Sequence, residues 1–143
     1  MDTTTLLLWI HIVAFVAGGS NTVVMPIIGT TLPMVDEATR ATLFRIGFQM
    51  ATIGKVAAAT LLITGPLLLW LKYGGLQGAT LWFWIKMALV VLLMANGTLV
   101  VRGGRRTHAS DPSGPRLLRF AAIASLVLWF GTTLFGAILP NVL

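Results

Sequence analysis

Three ionisable side chains stand inside long apolar stretches of the sequence: His11, Lys55 and Lys86. An ionisable group within a lipid slab is expensive, about 2.5–3.5 kcal/mol for Lys at a helix centre, and is a functional candidate by default. All four acidic residues, Asp2, Asp36, Glu37 and Asp111, lie at the terminus or between the apolar stretches. No carboxylate within a span balances the lysines, which argues against proton- or cation-coupled transport built on a membrane-embedded acid. Each Lys must snorkel, stay neutral, bind backbone carbonyls or meet an anion brought by a ligand. The two propionates of a porphyrin are such anions. His11 lies close to Phe15, Gly18 and Thr22 on the helical wheel, and Gly18-Gly19 admit close approach of a helix or a flat ring. A neutral imidazole in a dry helix bundle is an ordinary axial ligand for heme iron. Plainer roles stand beside these: a cross-helix hydrogen bond for His11, snorkelling for Lys86, interhelical bonds for Asn21 and Asn96, and packing for Met25, Met50, Met87 and Met94.

The elements that must position these groups follow from composition. Of the 143 residues, 57% are hydrophobic and 10% charged, where a soluble domain carries roughly 25% charged residues. That deficit excludes an ordinary globular enzyme, a disordered tail and a nucleic-acid module. Four apolar stretches, at about 6–28, 46–71, 81–101 and 117–139, are each long enough for the ~20 residues that cross a hydrocarbon core. The chain is therefore predicted to be all-α, a single integral membrane bundle of four transmembrane helices. Asp36-Glu37 suits a helix N-terminus and predicts a short surface helix leading into the second span. Tyr73-Gly74-Gly75-Leu76-Gln77-Gly78 reads as a tight glycine turn, and 102–116, with Gly103-Gly104, Asp111-Pro112 and Ser113-Gly114-Pro115, as a polar loop. Pro26 and Gly65-Pro66 are expected to bend or end their helices. Met1–Thr5 lacks the positive charge of a cleavable signal. The absence of Cys excludes disulfides, thiolate nucleophiles, iron–sulfur clusters and covalent heme attachment.

The net charge of +6 reads as a topology signal. Arg102, Arg105, Arg106, Arg116 and Arg119 crowd the third connection, Arg40 and Arg45 flank the first, and the second has Lys72 alone. The positive-inside rule then puts both chain ends outside and the long loop in the cytoplasm, within a cytoplasmic (inner) membrane. On that reading Trp9, Trp70, Tyr73, Trp82 and Trp84 gather at the outer boundary as an aromatic belt.

The two halves also look alike. Trp9-Ile10-His11 resembles Trp84-Ile85-Lys86, and Asn21 follows His11 at the distance at which Asn96 follows Lys86. This predicts two parallel helix hairpins related by a pseudo-two-fold axis along the membrane normal. His11 and Lys86 then lie roughly 8 Å below the outer surface, near a shared site. Lys55 lies roughly 13 Å from the cytoplasmic boundary, in an inner layer with Asn21, Gln49 and Asn96.

The first span, Trp9-Ile10-His11-Ile12-Val13-Ala14 continuing to Gly18-Gly19 and Met25-Pro26, resembles the opening helix of the HemJ-type protoporphyrinogen oxidases and their copper-resistance-D-like relatives. The third, Trp82-Phe83-Trp84-Ile85-Lys86-Met87-Ala88-Leu89-Val90, is similar to that family's Trp-x-x-x-Lys-Leu-Ala-Leu-Val segment. The resemblance implies a four-helix protein that binds b-type heme and oxidises protoporphyrinogen to protoporphyrin without using oxygen directly. It implies His11 as the iron ligand, and Lys86 as a residue that meets a propionate or lines the site. It departs where a basic residue commonly follows the helix-ending Pro (Ile27 here) and where a His commonly stands near the end of the third span (about Gly97). Lys55 has no counterpart in it.

Together these readings favour a heme- or porphyrin-binding membrane protein, with porphyrinogen oxidoreduction as the activity that the resemblance implies. His11 would sit on the metal, Gly18 and Thr22 beside the ring, and Lys86 and Lys55 against carboxylates, with electrons passing to an acceptor such as quinone. Two other classes stay open: a transport protein for copper or a small anion, and a non-catalytic membrane assembly partner. The bilayer is the expected surrounding, a homo-oligomer stays open, and no nucleic acid is expected.

Overall fold

The computed structural model describes residues 2–78, 80–109 and 111–142, and these contain four long helices: α1 (Thr3–Thr31), α2 (Glu37–Tyr73), α3 (Leu81–His108) and α4 (Ser113–Val142). Short 3₁₀ turns, Leu32–Met34 and Gly75–Gly78, precede and follow α2. Every long helix is apolar enough and long enough to cross a membrane. The protein is an all-α, multi-pass membrane protein.

It divides into two compact units, residues 1–79 and 80–143, each an antiparallel helix hairpin. In the first hairpin the α1 face running through His11, Ala14, Gly18, Asn21, Met25 and Ile28 repeats at alternating steps of three and four, the spacing that keeps one stripe of a helix turned to a partner. It meets Gly47, Gly54, Ala57, Thr64 and Leu68 of α2, of which Gly47, Ala57, Thr64 and Leu68 are buried. In the second hairpin Lys86, Leu89, Leu93, Asn96, Gly103 and Thr107 of α3 form the same stripe. It faces Gly114, Leu118, Ala121, Ser125, Thr132 and Gly136 of α4. Lipid tails are as apolar as Leu, so hairpins of this kind are held by close backbone approach and cross-helix hydrogen bonds rather than by hydrophobic segregation. The abundance of Gly, Ala, Ser and Thr on these faces follows from that.

Three expectations about connections are corrected. No separate surface helix precedes the second span: Asp36 itself caps α2, its carboxylate accepting the N–H of Thr39 at 2.9 Å, and the helix runs unbroken to Tyr73. The polar loop expected over 102–116 is largely helix, α3 continuing to His108 and α4 starting at Ser113. Gly103 and Gly114 explain this: a methyl on Gly103 would press on Leu118, and one on Gly114 on the Thr107 backbone. The two helices close on each other there, which outweighs the ~1 kcal/mol helix penalty of a glycine. Pro26 and Pro66 end no helix; both stand inside continuous helices. In an apolar medium the backbone has no other partners to turn to, so the helix continues past each proline.

The glycine turn stands as read. Gly74 closes α2 with φ +71°, and Gly75 follows at φ +80°, a left-handed region that favours glycine. The exposed Trp70 ring lies over Gly75.

Candidate functional site

His11 is half-buried on the packed stripe of α1, one turn ahead of the buried Ala14. Its Nδ1 lies 2.7 Å from Thr64 Oγ1 of α2. The Thr64 hydroxyl, buried with its residue, donates its one proton to the Thr60 carbonyl at 2.7 Å. It can therefore only accept from the imidazole, so Nδ1 carries the proton. The neutral ring then holds its lone pair on Nε2. This is the arrangement in which a metal-ligating imidazole is usually found, one nitrogen donating to a fixed oxygen and the other facing the metal.

Gly65 completes the seat: a methyl group on it would lie 3.7 Å from His11 Cε1. That is ordinary van der Waals contact, so Gly65 packs beside the ring, and Pro66 follows directly in the helix. Gly18 and Thr22 lie about two and three turns further along α1, on the same side as His11. The Thr22 hydroxyl is turned onto its own backbone, donating to the Gly19 carbonyl at 2.7 Å.

Below that level Asn21 faces Gly54, and its Oδ1 is buried with no hydrogen-bond partner among the described residues. Lys55 is the neighbour of Gly54 but stands on an exposed flank of α2, off the packed stripe, as does Gln49. Thr64 lies nine residues further along α2, about 13 Å at helical rise. The first hairpin therefore does not bring Lys55 to His11, and the polar layer expected around Asn21 is split between an inward amide and an outward ammonium.

In the second hairpin Lys86 takes the register position that His11 has in the first. It is half-buried against Gly136, where an added methyl would lie 3.5 Å from Nζ. Trp82, one turn earlier, stacks on Phe135 at 5.7 Å between ring centroids. Among the described residues no carboxylate pairs with Lys86; Arg40–Glu37, at 3.5 Å, is the ion pair found there, and it is exposed. Asn96 is buried and donates twice across the hairpin from Nδ2, to the Ala121 carbonyl and to Ser125 Oγ, both at 2.8 Å. Its Oδ1 has no partner among the described residues.

Thr64 and Gly136 were not singled out by reading the sequence, and Gly65 only as a helix bend or end. The signal that could have found them is the three-four repeat carried through α2 and α4, which puts Thr64 in the column of Ala57 and Leu68.

Among the described residues no three His, Cys, Asp or Glu side chains come together, so the donor set is one imidazole rather than a cluster. A macrocycle that supplies four nitrogen ligands of its own fits a single protein donor, whereas a bare ion does not. Comparison with family models, with curated proteins and with solved structures finds no match.

Proposed function

We propose that this is a membrane protein that binds b-type heme or a related metalloporphyrin, with His11 as the axial ligand. One observation carries the reading: the hydroxyl of Thr64, committed to the Thr60 carbonyl, fixes the proton of His11 on Nδ1 and leaves the lone pair on Nε2. The bond joins α1 to α2 and leaves the ring in the tautomer that an iron ligand needs.

In this reading Gly18 and Thr22 flank the ring on the α1 side, and Gly65 lies beside the imidazole. The family resemblance assigns a propionate to Lys86; Lys55, on an exposed flank away from His11, is not part of this site. Bound heme would supply one-electron chemistry. The protein's own residues would bind the iron and hold the imidazole proton at Nδ1. A protoporphyrinogen-oxidase-like activity, with quinone as the electron acceptor, belongs to this same reading through the family resemblance. So does placement in a cytoplasmic membrane with both chain ends outside.

Titration of the purified protein with hemin, followed by its Soret band, tests this. Saturable binding with a sharp shifted band is expected, lost in His11→Ala and weakened by roughly 10- to 100-fold in Thr64→Val, the usual effect of removing a ligand's outer partner. An unshifted hemin spectrum in the wild type, or a band indifferent to His11→Ala, overturns the reading.

A further inference from the structure

The second hairpin carries a feature the proposed function does not use. The first turns of α4 place Arg116 and Arg119 a turn apart, both exposed, with Phe120 and Ile123 exposed at 62% and 58% just beyond them. Pro115 and these four residues line a shallow groove of about 480 Å³. At about 100° per residue the two arginines share one arc of the helix with Phe120, Ile123, Val127 and Leu134. That arc is turned away from α3, whose contacts fall on the Gly114, Leu118, Ala121 and Ser125 column.

The charge is one-sided. Among the described residues neither Arg116 nor Arg119 has a carboxylate partner, and the nearby acid, Asp111, is engaged by the Ser113 N–H at 2.8 Å and by the charge of Arg106. Arg102, Arg105 and Arg106 at the end of α3 are exposed as well. Guanidinium groups match phosphate oxygens in a two-point geometry that no other side chain offers. From Arg119 to Leu134 the apolar track runs about 22 Å along the axis, longer than the ~15 Å that one leaflet contributes to the hydrocarbon core.

We infer that the α4 groove is a binding site for an anionic phospholipid, its phosphate held by Arg116 and Arg119 and one acyl chain lying along Phe120, Ile123 and Val127. The arginines alone would serve as a topology signal anywhere near the membrane boundary. Their alignment with an exposed apolar track and a groove at the junction is what a headgroup with a tail requires.

Native mass spectrometry of the full chain in a non-ionic detergent tests it, with dioleoylphosphatidylglycerol, dioleoylphosphatidylcholine and soluble glycerol phosphate titrated separately. Saturable retention of phosphatidylglycerol is expected, with the other two retained at least tenfold more weakly. Arg116→Gln/Arg119→Gln should weaken it by about thirtyfold, and Phe120→Ser/Ile123→Ser by several-fold. Arg116→Lys/Arg119→Lys, which keeps the charge without the two-point geometry, should weaken it several-fold, and Arg40→Gln/Arg45→Gln, on the other hairpin, should change it less than threefold. Equal binding of phosphatidylcholine, equal binding of the tail-less phosphate, or the same loss from either arginine pair overturns the site. Circular dichroism of each variant checks that helix content is kept, and the lysine pair carries the test if the glutamine pair loses it.

Discussion

The two hairpins use one packing scheme for different ends. Both interdigitate small residues at three-four spacing, and both put a nitrogen base at the same register position, ten residues before an asparagine. In the first hairpin that base is an imidazole bonded across the hairpin to Thr64, while the asparagine below it faces Gly54; its buried Oδ1, like that of Asn96, has no hydrogen-bond partner among the described residues. In the second the bond network sits at the asparagine, where Asn96 ties α3 to the Ala121 carbonyl and Ser125, and the base above it is a lysine packed against a glycine. A helix pair in lipid gains little from apolar contact alone, so where it places its few cross-helix bonds tells what each pair is for. The first places its bond on a ring and sets its tautomer, and the second places its bonds on a backbone carbonyl and a hydroxyl.

The contrast is broken most strongly by steric change. Gly114→Val should cost the second hairpin about 2–3 kcal/mol, because the added carbons meet backbone of α3 that cannot move aside. Gly54→Ala in the first should cost less, since the obstacle is the movable end of Asn21. Gly97→Val, with open space around it, should be nearly neutral. Unfolding of each variant in mixed micelles measures the order; equal losses at 114 and 97 would contradict the close approach.

The asparagines sharpen it. Asn96→Leu removes two cross-hairpin bonds and should cost about 1 kcal/mol in the same assay. Asn21→Leu removes a buried carbonyl that has no partner and should cost less than that or stabilise. If both cost the same, the division of roles between hairpins is wrong. Thr64→Val should cost the first hairpin only about 0.6 kcal/mol while changing heme affinity far more, a split that a purely structural bond would not produce.

The smallest effects concern acid. Asp2 and Asp36 cap α1 and α2, and the hydrogen bonds from Thr5 and from Thr39 hold their carboxyls below the usual carboxylate range; Asp111, bonded by the Ser113 N–H, is lowered likewise. A lowered folded-state pKa means the unfolded chain binds the proton more readily. The stabilisation is thus present above the ordinary carboxylate range and fades as pH falls through the lowered values. Amide exchange should show the first turns of α1 and α2 loosening in acid. At the second hairpin only the start of α4 should follow, since α3 begins at Thr80 without a side-chain cap. Asp36→Asn should remove the pH response at α2 alone.

Much of the fold could be read in advance because hydropathy and length fix a membrane helix with few competing solutions. The four spans and the Gly74-Gly75 turn follow from the residues themselves. The α3–α4 connection was misread because Gly103-Gly104 and Ser113-Gly114-Pro115 carry the usual marks of a loop; only the partner helix turns Gly103 and Gly114 into contact points. His11 and Lys86 stood out as costly groups in an apolar run, but Thr64 did not, since threonines are common in such helices and its role depends on which residue faces it. Lys55 shows the converse: depth along the helix was legible, the exposed face was not.

The most direct test of the central claim is rescue of the ligand. In His11→Gly loaded with hemin, added imidazole should restore the wild-type Soret position with saturation, and N-methylimidazole, which has no N–H to offer Thr64, should restore it more weakly. A His11→Gly protein whose spectrum already matches the wild type, or one that imidazole leaves unchanged, would contradict an axial imidazole fixed through its Nδ1 proton.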